Sequence, residues 1–124
     1  MHDHPSVSEL VQAVKNFIDT SAAPNLTGHA AFHARVASNA LATVLRDLEA
    51  RPEAETAEYA RLIALLEADS ETPIEVLNQD LSKRIRSGEM TAKTPGLLAH
   101  LKATSIAQVE IDQPRYSGLQ TAKR

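Results

Sequence analysis

Cysteine and tryptophan are both absent from this chain of 124 residues, and aromatic residues make up only 3% of it. Without cysteine the chain has no disulfide, no thiolate metal ligand and no cysteine nucleophile. It has only four glycines and no runs of β-branched residues, which argues against a β-sheet. No apolar run reaches the roughly 18 residues of a membrane span, and the N-terminus lacks a signal-peptide pattern. We therefore expect a helical protein of the cytoplasm with no membrane contact.

The chain also lacks an excess of positive charge. Its 16 acidic residues outnumber 13 lysines and arginines, so the net charge is −3 and the isoelectric point is near 5.9. A nucleic-acid-binding protein would carry a basic excess, so we expect no nucleic-acid partner. The hydrophobic fraction of 43% suffices for one core, built from leucine, isoleucine, valine and alanine. Alanine is the best helix former and lets helices approach closely.

Apolar residues recur at helical spacing along most of the chain. The predicted helices cover residues 6–20, 27–50, 52–68, 72–87 and 94–112. This pattern predicts an all-α fold, a compact bundle of about five helices with the second helix central. Arg51 and Pro52 are predicted to separate the second and third helices. We predict one helical domain over residues 1–112 and an irregular or flexible tail over 113–124.

Helix starts and stops are marked by capping residues. Ser6 and Glu9 have the spacing of a capping box, in which each side chain accepts a hydrogen bond from the backbone of the other. Thr72 and Thr94 are each followed by proline, which predicts two further threonine caps. Gly88 follows a basic last turn and predicts the end of the fourth helix.

Two histidines lie four residues apart on the second predicted helix. His29 and His33 therefore share one face, and such a pair can bind a metal ion. A third ligand would come from elsewhere in the chain: His100, Asp47, or the pair His2 and His4. The residues between the two histidines are Ala, Ala and Phe, so the motif contains no general base. The alternative is that His33 hydrogen-bonds within the core while His29 is partly exposed.

A second candidate site lies on the same helix. His33, Arg35 and Asn39, with the backbone amides at Gly28, could bind a carboxylate or a phosphate, because arginine offers a planar fork and a helix start offers free N–H groups. The alternative is that these side chains are solvated or pair with acidic residues, and that Thr27 caps the helix. No phosphate-loop or dinucleotide pattern is present, and no catalytic residue can be assigned.

The segment from Leu26 to Gly28, followed by Phe32 through Leu41, resembles a family of short helical bacterial proteins catalogued as a domain of unknown function. The opening around Asp3 and the close at 112–116 are similar too. The resemblance implies an accessory role beside acyl-CoA dehydrogenases and aminoglycoside-phosphotransferase-like kinases encoded nearby. The chain is too short to hold a flavin domain, and the resemblance assigns no catalytic residues.

These observations lead to one main expectation about function and two alternatives. We expect a non-catalytic interaction protein without a cofactor, which forms a homo-oligomer by burying surplus apolar helix faces. The first alternative is a protein that binds an acyl or phosphorylated metabolite at His33, Arg35, Asn39 and Gly28. The second is a metal-binding protein that uses His29 and His33.

Overall fold

The computed structural model describes residues 3–124, and this part of the chain is all-α, as predicted. In chain order the helices are α1 (Val7–Phe17), α2 (Gly28–Leu66), α3 (Ile74–Arg86), α4 (Leu97–Asp112) and α5 (Leu119–Ala122). A π-helical turn (Ile18–Ala22) and a 3-10 turn (Ala23–Asn25) connect α1 to α2. None of the helices among residues 3–124 combines the length and apolarity needed to cross a bilayer.

The second and third predicted helices are one continuous helix, so the predicted break at Arg51 and Pro52 is wrong. Helix α2 runs for 39 residues with Pro52 inside it. An interior proline removes one backbone hydrogen bond and costs about 3 kcal/mol, yet α2 continues through Pro52, with side-chain hydrogen bonds on both sides of it. Arg51 Nε donates to Asp47 Oδ1 at 2.8 Å, and Thr56 Oγ1 donates to the Pro52 carbonyl at 2.8 Å. The second predicted helix forms the N-terminal part of α2, and its central place in the bundle stays a prediction.

The first helix begins as predicted. Ser6 Oγ accepts from the Glu9 backbone N–H at 3.2 Å, and Glu9 Oε2 accepts from the Ser6 N–H at 2.6 Å, which completes the capping box. The end of α3 is also as predicted, because Gly88 follows the last turn with φ +79°. A positive φ is readily adopted only by glycine, so the helix stops there.

The two predicted threonine caps are wrong. Helices α3 and α4 have Pro73 and Gly96 as N-cap residues, and neither start has a side-chain hydrogen bond. Thr94 Oγ1 instead accepts from the Thr91 backbone N–H at 2.9 Å, while the Thr72 N–H donates to the Asp69 carbonyl. Both threonines therefore stabilise the turns before the helices, because each helix starts later than the sequence pattern suggested.

The chain divides into two compact units between Arg51 and Pro52. The second unit, residues 52–124, contains a core of large buried side chains: Leu62, Leu66, Leu77, Leu81, Met90 and Leu97. Leu119 of α5 is buried as well, so the predicted irregular tail includes an ordered helical turn. That residues 1–112 fold as one domain stays a prediction.

The first unit has much less buried surface. Among its described residues, 3–51, only Ala31 and Ser38 are buried. Ser38 Oγ donates to Asp19 Oδ1, which joins α2 to the π-helical turn. Many of the larger apolar side chains of this unit, including Phe17 and Phe32, are exposed, and the others are half-buried. Its helices therefore present apolar faces that the described chain leaves open.

We expect the Lys15→Met substitution to raise the pKa of the Asp19 carboxyl group, and Ser38→Ala to raise it less. Lys15 Nζ donates to Asp19 Oδ2 at 2.7 Å, and this bond is the largest cause of the lowered pKa of Asp19, followed by the Ser38 bond. Because the folded pKa lies below the unfolded value, the stabilisation is present at neutral pH and is lost as pH falls through the folded pKa.

Carboxyl carbon NMR across an acid titration measures this pKa. The control is Lys83→Met, which removes the same charge from α3 and should leave the pKa of Asp19 unchanged. A larger rise for Ser38→Ala than for Lys15→Met would contradict the ranking of the two hydrogen bonds.

Candidate functional site

Helix α1 carries an exposed apolar surface, here called the α1 stripe, formed by Val7, Leu10, Val14 and Phe17. Phe17 is 62% exposed, and no residue of α1 is buried. The spacings of three, four and three residues match the first and fourth positions of a heptad, with valine at the first and leucine or phenylalanine at the fourth. Successive residues turn by about 100°, so the four side chains fall within about 80° of one another.

The opposite face of α1 is polar and internally paired. Gln12 Nε2 donates to Asn16 Oδ1 at 2.8 Å, and Lys15 forms its ion pair with Asp19 one turn later. Side-chain pairs four residues apart satisfy one another along a helix surface. Helix α1 is therefore strongly amphipathic. Its polar side chains pair with one another, whereas the side chains of the α1 stripe are exposed.

The N-terminal half of α2 also exposes apolar side chains, here called the α2 ridge: Phe32, Val36, Val44 and Leu48. Projected at about 100° per residue, the ridge lies on the side of α2 opposite to the buried Ala31 and Ser38. A central place for the second predicted helix would bury this apolar sector. In the structure this sector is exposed, and Ser38 on the opposite side of α2 donates to Asp19 of the π-helical turn.

His29 and His33, the predicted metal pair, are both exposed and lie on the face of the α2 ridge. The His33 ring meets the Phe32 ring edge-on, with centroids 5.6 Å apart. Among residues 3–124 no group of three histidine, aspartate or glutamate side chains gathers around a common point. Metal binding by the histidine pair stays a prediction without a third ligand among these residues.

The residues considered as a third metal ligand beside His29 and His33 have other contacts or lie elsewhere in the chain. His4 Nδ1 contacts Glu9 Oε2 at 3.2 Å, and Asp47 pairs with Arg51 at 2.5 Å, which lowers the pKa of the Asp47 carboxyl. His100 is buried in the second unit. His2 lies outside the described residues.

The predicted anion site is spread around α2. Arg35 and Asn39 are exposed, and their side chains leave the helix about 160° and 120° away from that of His33 in projection. Gly28 begins the helix with φ +59° and is exposed. The structure therefore does not bring His33 and Arg35 to one face of α2, although ligand binding by these residues stays a prediction.

A groove in the second unit combines two polar residues that the sequence patterns did not single out as a pair. Arg61 of α2 and His100 of α4 line it, and its apolar wall comes from Ala64, Leu65, Pro95, Gly96 and Ala99. The groove has a volume of about 360 Å³. Arg61 interrupts the apolar run of residues 59–66, and that interruption is the sequence signal that could have revealed it.

Both polar residues of the groove have an unsatisfied buried atom. His100 is 3% exposed, and neither its Nδ1 nor Arg61 Nε has a hydrogen-bond partner among the described residues. Arg61 Nη2 donates to Thr104 Oγ1 at 3.3 Å. An unpaired buried polar atom costs roughly 1–3 kcal/mol, so such atoms are rare and need an explanation.

The groove carries a positive charge, which Arg61 supplies. Burial lowers the pKa of His100, and the charge of Arg61 lowers that pKa further, while Glu58 opposes both. The Glu58 carboxylate itself accepts a hydrogen bond from Asn78 Nδ2 at 3.0 Å. His100 is therefore neutral at neutral pH, and Arg61 is the charged group of the groove.

Comparison with known proteins gave one family match. The family model described as domain of unknown function DUF6285 matches residues 24–116, which contain α2, α3, α4 and both groove residues, whereas α1 precedes the matched range. This match bears out the resemblance to a domain of unknown function, and it covers Leu26–Gly28 and Phe32–Leu41 but not the opening around Asp3. Neither the curated proteins nor the solved structures gave a significant match.

Proposed function

We propose that this chain, which belongs to the DUF6285 family of domains of unknown function, is a non-catalytic interaction protein that self-associates through the α1 stripe. The observation that carries the proposal is the exposure of Val7, Leu10, Val14 and Phe17 along one face of an amphipathic helix that buries no residue. Burial of apolar surface contributes about 25 cal/mol per Å². Contiguous apolar surface of this kind is typical of interfaces.

The composition of the stripe favours a second copy of the same chain as the partner. Val7 and Val14 occupy the first heptad position, and Leu10 the fourth, an arrangement that favours two-stranded helix pairing. The stripe carries no charge that would select a partner of opposite sign. A symmetric dimer needs a self-complementary patch, and an uncharged row of valine, leucine and phenylalanine meets that requirement.

Size-exclusion chromatography with light scattering tests the proposal, using the wild-type chain and the Val14→Asp variant over a range of concentrations. We expect the wild type to be an oligomer that dissociates on dilution, and the variant to be a monomer at the same concentrations. Val14 is 53% exposed, so aspartate there should leave the fold of the single chain intact while placing a charge in the interface.

The matched control is Gln12→Asp. It introduces the same charge into the same helix, but on the polar face about 180° from the stripe, so it should leave the oligomer intact. A wild-type chain that is monomeric at every concentration, or a control that dissociates as completely as Val14→Asp, would contradict the proposal.

The proposal extends to an accessory role in the bacterial cytoplasm. The resemblance to short helical bacterial proteins implies neighbouring genes for acyl-CoA dehydrogenases and phosphotransferase-like kinases. The same chromatography on mixtures with those enzymes tests this part separately. Co-elution of a dehydrogenase or kinase with the wild type supports the accessory role, and independent elution of both enzymes contradicts it.

A further inference from the structure

We propose that the groove lined by Arg61 and His100 binds a small monocarboxylate with a short apolar chain. This site is independent of the α1 stripe, because every residue that forms it belongs to residues 52–124. Three features of the groove lead to this ligand: an arginine without an acidic partner, the open start of a helix, and a wall without polar side chains.

Arg61 supplies the positive charge. It forms no ion pair with a described residue, and its one hydrogen bond with a described side chain is to the neutral Thr104. Arg61 is half-buried, so part of its hydration is lost, and a guanidinium matches the geometry of a carboxylate. The unpartnered Nε is a donor that a carboxylate oxygen would satisfy after a small rotation of the side chain.

The start of α4 adds a second set of donors. Its N-cap is Gly96, no side chain caps it, and no acidic residue lies in its first turn. The N–H groups of Leu98 and Ala99 occupy positions where a helix offers no carbonyl partner, and such positions attract anions. Gly96 and Ala99 both line the groove, so this helix start faces the same space as Arg61.

His100 is the independent sign that a ligand group belongs here. The residue is 3% exposed and lines the groove, yet Nδ1 has no partner among the described residues. Nδ1 is shielded from solvent, so a rotation of the ring is needed to bring it into the groove. As a neutral ring with a proton on Nδ1, His100 would then donate to the second carboxylate oxygen. A carboxylate would therefore satisfy both unpaired atoms of the groove.

The charge and size of the groove limit the ligand. One guanidinium neutralises one negative charge, so a phosphate dianion would leave a net charge against an apolar wall, which is costly. The side chains of Ala64, Leu65, Pro95 and Ala99 offer contact to an alkyl chain and no polar group to a sugar or a nucleotide. A volume of about 360 Å³ lies at the small end of ligand sites.

Titration of the ¹⁵N-labelled full-length chain with sodium butyrate, followed by NMR, tests the proposal. We expect saturable shifts of the Arg61 Nε–H and of the backbone amides of Leu98 and Ala99. Matched titrations use 1-butanol, which has the alkyl chain without the charge, and sodium phosphate, which has the charge without the chain. Butanol binding as well as butyrate, phosphate binding better than butyrate, or no saturable shift with butyrate would each overturn the proposal.

Two arginine variants locate the site. Arg61→Gln should raise the dissociation constant for butyrate about tenfold or more, since a charge-assisted hydrogen bond is lost. Arg35→Gln removes the same charge from the exposed face of α2 and should leave the constant unchanged. If Arg35→Gln weakens butyrate binding and Arg61→Gln does not, the proposal is overturned. That result would instead support the predicted anion site on the N-terminal half of α2.

A third variant gives an answer even if Arg61→Gln fails to fold. Ala99→Asp places a carboxylate in the first turn of α4, at the wall of the groove, where acidic residues suit the helix dipole. We expect this variant to be folded, to have a raised melting temperature and to lose butyrate binding. Unchanged butyrate binding by a folded Ala99→Asp chain would overturn the proposal.

Discussion

Leu62→Ala is expected to lower the free energy of unfolding of the second unit by about 2–5 kcal/mol. Leu62 is fully buried at the centre of the cluster that also contains Leu66, Leu77 and Leu81. Alanine removes the transfer free energy of the leucine side chain and leaves a cavity that the rest of the cluster can close only in part. The total stability of a small protein is about 5–15 kcal/mol, so this single change removes a large part of it.

Urea denaturation measures the effect, followed by tyrosine fluorescence. Both tyrosines, Tyr59 and Tyr116, belong to the second unit, so their signal reports on that unit. The control is Leu98→Ala on α4, the same chemical change at a side chain that is 57% exposed, where we expect less than about 1 kcal/mol. Equal losses for the two variants would mean that the Leu62 cluster is not the core of this unit.

Pro52→Ala is expected to stabilise the chain by about 2 kcal/mol. Pro52 lies inside α2, where it removes one backbone hydrogen bond and its ring crowds the carbonyl of Leu48. An interior proline costs a helix roughly 3 kcal/mol relative to alanine, and the greater freedom of alanine in the unfolded chain offsets up to about 1 kcal/mol of the gain.

Thermal and urea unfolding followed by far-ultraviolet circular dichroism test this prediction. Pro114→Ala is the control, because Pro114 follows the end of α4 and lies outside every helix. We expect the control to change the melting temperature little or to lower it. A Pro52→Ala chain that is less stable than wild type would contradict a continuous α2 and would support the helix break that the sequence pattern predicted.

The all-α fold, the helix of residues 7–17 and the stop at Gly88 follow from local rules that the sequence itself carries. Apolar residues at helical spacing select the helix, and the Ser6–Glu9 pair satisfies backbone groups within one turn. These effects involve residues three to seven apart. They are therefore readable without any knowledge of the neighbouring helices.

The sequence did not reveal the continuity of α2 through Pro52. A proline lowers the stability of a helix by a known amount, but whether the helix breaks depends on what both flanks contact. The same reason explains Thr72 and Thr94. A threonine before a proline can cap a helix or hold a turn, and the structure uses both for turns.

The sequence by itself determined the helical class, the absence of thiol chemistry and the amphipathic character of α1, because composition and spacing along the chain decide these properties. Only the tertiary structure decided which polar residues meet. It placed Arg61 beside His100, 39 positions along the chain, and it left His33 and Arg35 on different faces of α2. Contacts between distant residues depend on how helices pack, and that packing is set by the fit of all buried side chains together.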